Sequence, residues 1–183
     1  MKVAEFIVDG FEQMEALTPV DLLRRAEIEI DTVSVFNVKN VKSSHNVIIE
    51  TDKNMEDINF DEYDMLILPG GPGTGNFEKS DILLKKLQDF AGDSQKYIAA
   101  ICAAPGVLAR LGILKNKNAV SFPAVESELE KNGAVLLKEK VVTDGNITTS
   151  RGAGIAVDFA LKIIEILKGK EKADRIAEQI VYK

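Results

Sequence analysis

The stretch Lys96-Tyr-Ile-Ala-Ala-Ile-Cys-Ala-Ala-Pro-Gly-Val-Leu-Ala-Arg110 decides how this chain folds. Tyr97–Ile101 is an apolar run of strand length, fit for burial on both faces of a sheet. Small residues follow at once and lead into helical spacing over Ala103–Leu111. Such an abrupt strand-to-helix turn lifts its pivot, Cys102, above the sheet, the logic of a nucleophile elbow. A cysteine so placed faces unpaired N–H groups and the positive end of the helix dipole. That predicts a lowered thiol pKa and a reactive thiolate. A core cysteine fits the same pattern, because free cysteine is among the most buried residue types.

On both sides of this stretch, segments rich in Val, Ile and Leu alternate with amphipathic ones. Lys2–Val8, Ile30–Phe36 and Met65–Leu68 read as further strands, and Glu12–Ala26 and Asp81–Ala91 as helices. Val41–Glu50 and Val135–Thr149 read as strand or hairpin material, with Asp144-Gly145 a turn signal. Gly154–Leu167 has helical spacing and ends at Gly169, and a short helix is predicted over Lys172–Ile180. Strand–helix alternation implies right-handed crossovers and a mostly parallel sheet covered on both faces. Sites in such sheets lie at the carboxyl ends of strands. The exits to inspect are therefore Asp9–Glu12, Pro69–Phe77, Cys102–Gly106 and Ser150–Gly154.

Composition narrows the function. The 183 residues suit one domain spanning 1–183, since domains cluster near roughly 100–200 residues. A net charge of −6 argues against non-specific nucleic-acid binding, which needs a basic face. One cysteine rules out an internal disulfide and a cysteine-rich zinc site, and one histidine rules out metal sites built on several histidines of one chain. The longest uncharged run, Tyr97–Ala109, is shorter than the ~20 residues of a membrane span. The first residues read as a strand interrupted by Glu5 and not as a signal peptide, so a cytoplasmic location is expected.

Four other places can carry chemistry. Pro69-Gly-Gly-Pro-Gly-Thr-Gly75 follows a strand, and its backbone N–H groups can face a developing oxyanion. It matches neither a Walker loop nor a dinucleotide fingerprint, and a plain glycine-rich turn is the alternative. Glu15 falls nearly in line with Leu22 on its helix; if it points inward its pKa should rise, and if outward it is an ordinary surface glutamate. Thr18-Pro19 suggests a kink there, or a helix restarting with Thr18 as cap. His45 suits a surface or interface position better than that of a catalytic base. Ser150-Arg-Gly-Ala-Gly154 is a second strand-to-helix junction, where Ser150 caps a helix or the N–H groups bind an anion.

Asp9-Gly-Phe-Glu-Gln-Met-Glu-Ala16, Pro19-Val-Asp-Leu-Leu-Arg-Arg-Ala26, Leu68-Pro-Gly-Gly71, Ala99-Ala-Ile-Cys-Ala-Ala-Pro105 and Thr149-Ser-Arg-Gly152 together resemble the ThiJ/PfpI superfamily. They are most similar to the branch of the Parkinson-disease-linked protein deglycase and its bacterial relatives. The resemblance implies a flavodoxin-like α/β three-layer sandwich of the class I glutamine amidotransferase-like type, a homodimer, and no metal or cofactor. It casts Cys102 as the nucleophile, Glu15 as a protonated glutamate on its sulfur, and the backbone of Gly70, Gly71 and Ala103 as the oxyanion site. His45 and Arg25 fall where the deglycase branch has arginines near its dimer boundary, which places them, with Ser150, Arg151 and Phe122, among possible pocket residues. Phe122 stands where family members commonly have histidine. Phenylalanine cannot accept a proton, so proteolysis and amide hydrolysis should be weak or absent.

Two functions follow as expectations. One is glyoxalase- or deglycase-type chemistry on small reactive carbonyls or glycated protein, with Cys102 attacking and Glu15 relaying protons. The other is an oxidative-stress sensor or redox-regulated chaperone working through a Cys102 sulfinate, with little catalysis. A flavin carrier of related architecture is disfavoured because the nucleotide loops do not match.

Overall fold

The computed structural model describes residues 1–182. Strands β1 (Lys2–Ile7), β2 (Glu29–Ser34), β5 (Lys53–Asn54), β6 (Met65–Leu68), β7 (Tyr97–Ile101), β10 (Val141–Asp144) and β11 (Ile147–Ser150) form one sheet in the order β10-β11-β7-β6-β1-β2-β5. All neighbours pair in parallel except β10 with β11, which are antiparallel and joined by a turn at Gly145 and Asn146. Without the two edge strands, the order by position in the chain is 2-1-3-4-5, that of flavodoxin-like sheets. Two short pairs stand apart. Strands β3 (Asn40–Lys42) and β4 (Ile48–Glu50) make a hairpin, while β8 (Asn118–Ala119) pairs with β9 (Val135–Leu136).

Alternation along the buried strands sends side chains into two apolar layers. Val3, Ile30, Met65, Ile67, Ala99 and Ile101 meet helices α1 (Gln13–Arg25), α5 (Ala156–Lys168) and α6 (Lys170–Gln179). Ala4, Phe6, Leu66, Leu68, Ile98 and Ala100 meet α2 (Asp81–Gly92), α3 (Pro105–Arg110) and α4 (Glu126–Lys131). Each fully buried large side chain contributes roughly 1.5–3 kcal/mol of transfer free energy, which is what holds the three layers together.

Local differences from the sequence reading have physical causes. The helix expected over Ala103–Leu111 begins at Pro105, because the turn out of β7 takes up Cys102 to Ala104 first. Val135–Leu136 leaves the expected hairpin to pair in parallel with β8. Thr18 does not restart a helix: α1 runs unbroken with Pro19 inside it. Proline has no N–H to give the Glu15 carbonyl four residues back, yet the helix is held by packing of Val20, Leu22 and Leu23.

Candidate active site

Four strand exits converge at the carboxyl edge of the sheet. Exit β7 presents Cys102 with φ 65°, the left-handed region that a side chain seldom adopts. Such a conformation costs roughly 1–3 kcal/mol and survives only where the surroundings impose it. Here the Cys102 N–H donates to the Ser150 carbonyl (2.9 Å), and the Cys102 carbonyl accepts from the Phe122 N–H (2.8 Å). The turn is thus clamped from both sides, and the half-buried thiol stands above the sheet.

Exit β1 leads into α1, whose first turn carries Glu15. The Glu12 side chain caps the helix by accepting the Glu15 N–H (2.9 Å). That cap aims Glu15 inward, where it is fully buried. Its Oε2 accepts the Gly70 N–H from exit β6 (3.0 Å). The Cys102 thiol and the Ala153 N–H approach the carboxyl and pull its pKa down, but neither reaches full hydrogen-bond geometry, and Oε1 is left without a partner. Burial outweighs both and pushes Glu15 up to about 7.

The thiol itself departs from the sequence reading. Burial, and then the charge and close approach of the Glu15 carboxyl, push Cys102 up to about 12, against the opposing pull of the Gly71 and Ala103 N–H groups. Helix α3 is only six residues long and starts three positions after the cysteine, so its dipole is weak at the sulfur. The lowered pKa expected of an elbow cysteine is therefore corrected. Burial and the neighbouring carboxyl hold Cys102 as a thiol, and Glu15, raised to about 7, stands beside it.

The glycines earn their places by contact. A Cβ on Gly70 would lie 2.4 Å from Glu15 Oε2 and 2.6 Å from Cys102 Cβ. Gly71 sits at φ 108°, and a Cβ there would meet the Gly10 carbonyl at 2.5 Å. Because the Gly70 N–H is taken by Glu15, the amides facing the sulfur are those of Gly71 and Ala103. Gly70, expected with them from the sequence, has its N–H engaged by Glu15.

Exit β11 supplies a residue the sequence reading passed over. The side of Gly152 where a Cβ would stand is 3.6 Å from Phe122 Cδ2, 3.8 Å from Glu15 Oε1 and 4.0 Å from Cys102 Sγ. A methyl group on Gly152 would therefore be in van der Waals contact with a ring, a carboxyl and a sulfur at once. The signal was available: Gly152 lies at a strand exit already singled out, but its neighbours Ser150 and Arg151 drew attention by being polar. Ser150 is buried and its hydroxyl donates to the Lys140 carbonyl (3.2 Å), so its side chain serves the β10–β11 edge. Arg151 pairs with Glu126 (3.3 Å).

Two expected pocket residues lie elsewhere within the chain. Arg25 is on the last turn of α1, ten residues or about 15 Å along the helix from Glu15, and binds Asp21 (3.0 Å). His45 is exposed in the turn of the β3–β4 hairpin beside Ser44 (3.1 Å). No group of metal-ligating side chains occurs among the described residues, and none of their helices is long and apolar enough to cross a membrane.

Comparison with known proteins agrees with this architecture. Protein dj-1beta of Drosophila melanogaster is 38% identical over 175 residues, covering 96% of this chain and 94% of that protein. The crystal structure of Drosophila melanogaster DJ-1beta superposes with a TM-score of 0.93 at 36% identity, covering 99% and 98% of the two chains. A Schizosaccharomyces pombe protein named glutathione-independent glyoxalase DJ-1 is 31% identical over 188 residues, covering 98% of each. The DJ-1/PfpI family description matches residues 1–166, and the chain belongs to that family.

Proposed function

We propose that the protein converts small 2-oxoaldehydes such as methylglyoxal to 2-hydroxy acids without a cofactor. The observation that carries this reading is the Glu15 carboxyl, raised by burial to about 7, whose Oε1 stands with the Cys102 sulfur within 4.0 Å of one point beside Gly152. As the sulfur attacks the aldehyde carbon, its proton passes to Glu15 and the carbonyl electrons move to oxygen. The Gly71 and Ala103 N–H groups stabilise that oxyanion. Glu15, having given its proton to the oxygen, next removes the aldehyde C–H as a proton and returns it to the adjacent carbon. As the proton on the first oxygen passes to the second, the first carbon is oxidised to a thioester and the second reduced to an alcohol, with no external redox partner. Water then releases the hydroxy acid and restores the thiol. The glyoxalase name of the fission-yeast relative supports this substrate class. Phe122 offers no base, which keeps amide hydrolysis weak. The test is conversion of methylglyoxal to lactate by purified protein; full activity in Cys102→Ala would overturn the reading.

The same reading takes the protein as a homodimer. Met14 and Leu17 of α1 and Val47 and Ile48 of the hairpin are exposed, and the hairpin is tied to the loop before α1 through Gly10 N–H to Lys42 and Ser44 N–H to Phe11. A partner seated there would approach His45. Light scattering at micromolar concentration decides it, a monomer mass counting against it.

A second reading, sulfinate formation at Cys102, is favoured by the two backbone N–H groups facing the sulfur, which suit anionic oxygens. Intact mass after mild peroxide tests it: two added oxygens support it, and an unchanged mass refutes it.

A further inference from the structure

The carboxyl edge of the sheet holds a hollow apart from the thiol. A cavity of about 300 Å³ lies where β1 and β2 end, and neither Cys102 nor Glu15 lines it. Buried Ile7, Val8 and Val41 form part of its lining, and Phe36 and Val38 complete the apolar share. Those last two side chains are 43% and 47% exposed, although a hollow lies beside them. The turn that carries them is fixed. The buried Ser34 hydroxyl accepts the Val38 N–H (3.2 Å), and the Asn37 amide donates to Glu56 (3.0 Å). Opposite charges stand at the same cavity. Asp9 and Lys79 both line it, and neither has an ion-pair partner among the described residues. Asp9 Oδ1 accepts the Lys42 N–H (2.9 Å), which leaves Oδ2 free of hydrogen bonds. Asn76 joins the two sides: its amide donates to the Asp9 carbonyl (3.1 Å), and its Oδ1 accepts from Lys79 Nζ (2.8 Å).

We propose that this cavity binds a small apolar zwitterion, an α-amino acid with an aliphatic side chain. The ammonium meets Asp9, the carboxylate meets Lys79, and the side chain takes the place of water against Phe36, Val38 and the buried residues behind them. A plain carboxylic acid would leave Asp9 unanswered, and a plain amine would leave Lys79 so. A zwitterion neutralises both. The volume lies at the lower end of small-molecule cavities, which suits a single amino acid. Because the cavity excludes Cys102 and Glu15, the proposal is independent of any reaction at the thiol.

The test is a ligand-observed NMR titration of the native protein, Lys79→Met and Asp9→Asn. The probes are L-leucine and three molecules that each lack one part of it: 4-methylpentanoate the ammonium, 3-methylbutylamine the carboxylate, and glycine the side chain. Leucine should bind. The acid and the amine should bind roughly two- to fivefold more weakly, the worth of one exposed ion pair. Glycine should bind at least about tenfold more weakly, since it covers no apolar surface. Lys79→Met should weaken leucine by the same two- to fivefold and leave the amine as it was. Asp9→Asn, which keeps an acceptor for the Lys42 N–H, should weaken leucine and leave the acid as it was. That crossed pattern is one a misfolded variant cannot produce. Three results would each overturn the proposal: no leucine binding at millimolar concentration, 4-methylpentanoate bound as tightly as leucine, or equal leucine affinity in all three proteins.

Discussion

Two glutamates among the described residues are completely buried, and only one of them stands beside the Cys102 sulfur. Glu5 lies mid-strand in β1, between Thr32 of β2 and Ile67 of β6, on the face packed by α1 and α5. Both of its carboxyl oxygens lack a partner, and burial holds its pKa well above the carboxylate range in spite of the Arg24 charge. Arg24 itself is engaged by Asp52 (2.7 Å) and the Ile30 carbonyl (3.4 Å). Glu15 is equally buried, but it sits one turn past a strand exit, holds one amide and faces a thiol. Burial raises both acids. Position at the carboxyl edge of the sheet is what sets a raised acid beside a thiol.

The sharpest way to break that comparison is to neutralise each group without changing its shape. Glu15→Gln should lower methylglyoxal turnover by roughly 10²–10⁴-fold, the usual worth of a positioned acid–base group, while Glu5→Gln should leave it within about twofold. Glu15→Gln should at the same time lower the pH at which Cys102 alkylates, because the charge that pushes the thiol up is gone. Faster alkylation at pH 8 with lost turnover is the expected signature. Equal turnover loss in the two variants would erase the distinction between the two glutamates.

Next in size is the backbone beneath the pair. Gly70→Ala places a Cβ where the Glu15 carboxyl and Cys102 Cβ already stand, so the pair must separate. We expect at least about tenfold lower turnover, with a loss of stability of roughly 1–3 kcal/mol from overpacking. Thermal unfolding and steady-state kinetics on one preparation check both, and a variant with native turnover would show that the pair tolerates displacement.

Glu5 should answer in the opposite direction. Replacing an unsatisfied buried carboxyl by a hydrocarbon of similar volume removes a desolvation penalty of about 1–3 kcal/mol. Glu5→Leu should therefore raise the melting temperature, by roughly 2–4 °C per kcal/mol for a chain of this length, with turnover unchanged. A lower melting temperature would mean that Glu5 has a partner that stabilises it.

The contrast also marks what could be read from the chain alone. The strands Met65–Leu68 and Tyr97–Ile101 and the exits beyond them were legible, because buried parallel strands are unbroken apolar runs and small residues mark where they end. The phase of Glu15 with Leu22 allowed an inward direction but left a surface position equally open, and burial of the side chain decides it. Three things were not legible. The sign of the Cys102 shift depends on how deeply the sulfur sinks and on a charge contributed from 87 positions earlier in the chain, neither of which local spacing encodes. Gly152 matters for a side chain it lacks, and glycine pattern does not say what stands opposite. Glu5 looked like a polar interruption of a strand, since whether it meets a cation is decided by the fold of α1 over β2 and not by its neighbours in sequence.

The gentlest perturbation is pH, which titrates both glutamates in the folded protein. Each folded-state pKa lies above the ordinary carboxylate value of 4.5, so between those limits the folded protein binds protons that the unfolded chain has released. Their contribution is complete in acid, below about 4.5, and stability falls as pH rises. The Glu15 share is lost across about 4.5 to 7, at no more than about 1.4 kcal/mol per pH unit. The Glu5 share begins to fall at the same point and continues until that residue itself ionises within the fold. Urea midpoints taken at half-unit steps from pH 4.5 to 8 should therefore decline in the native protein and flatten in part in each Glu→Gln variant. In Glu15→Gln the flattening should be confined to the region below about 7, whereas in Glu5→Gln it should persist above it. Identical slopes in native protein and Glu5→Gln would show that the β1 carboxyl is ionised in the fold and has found a counter-charge, which would make the two glutamates alike in protonation and leave only their positions to separate them.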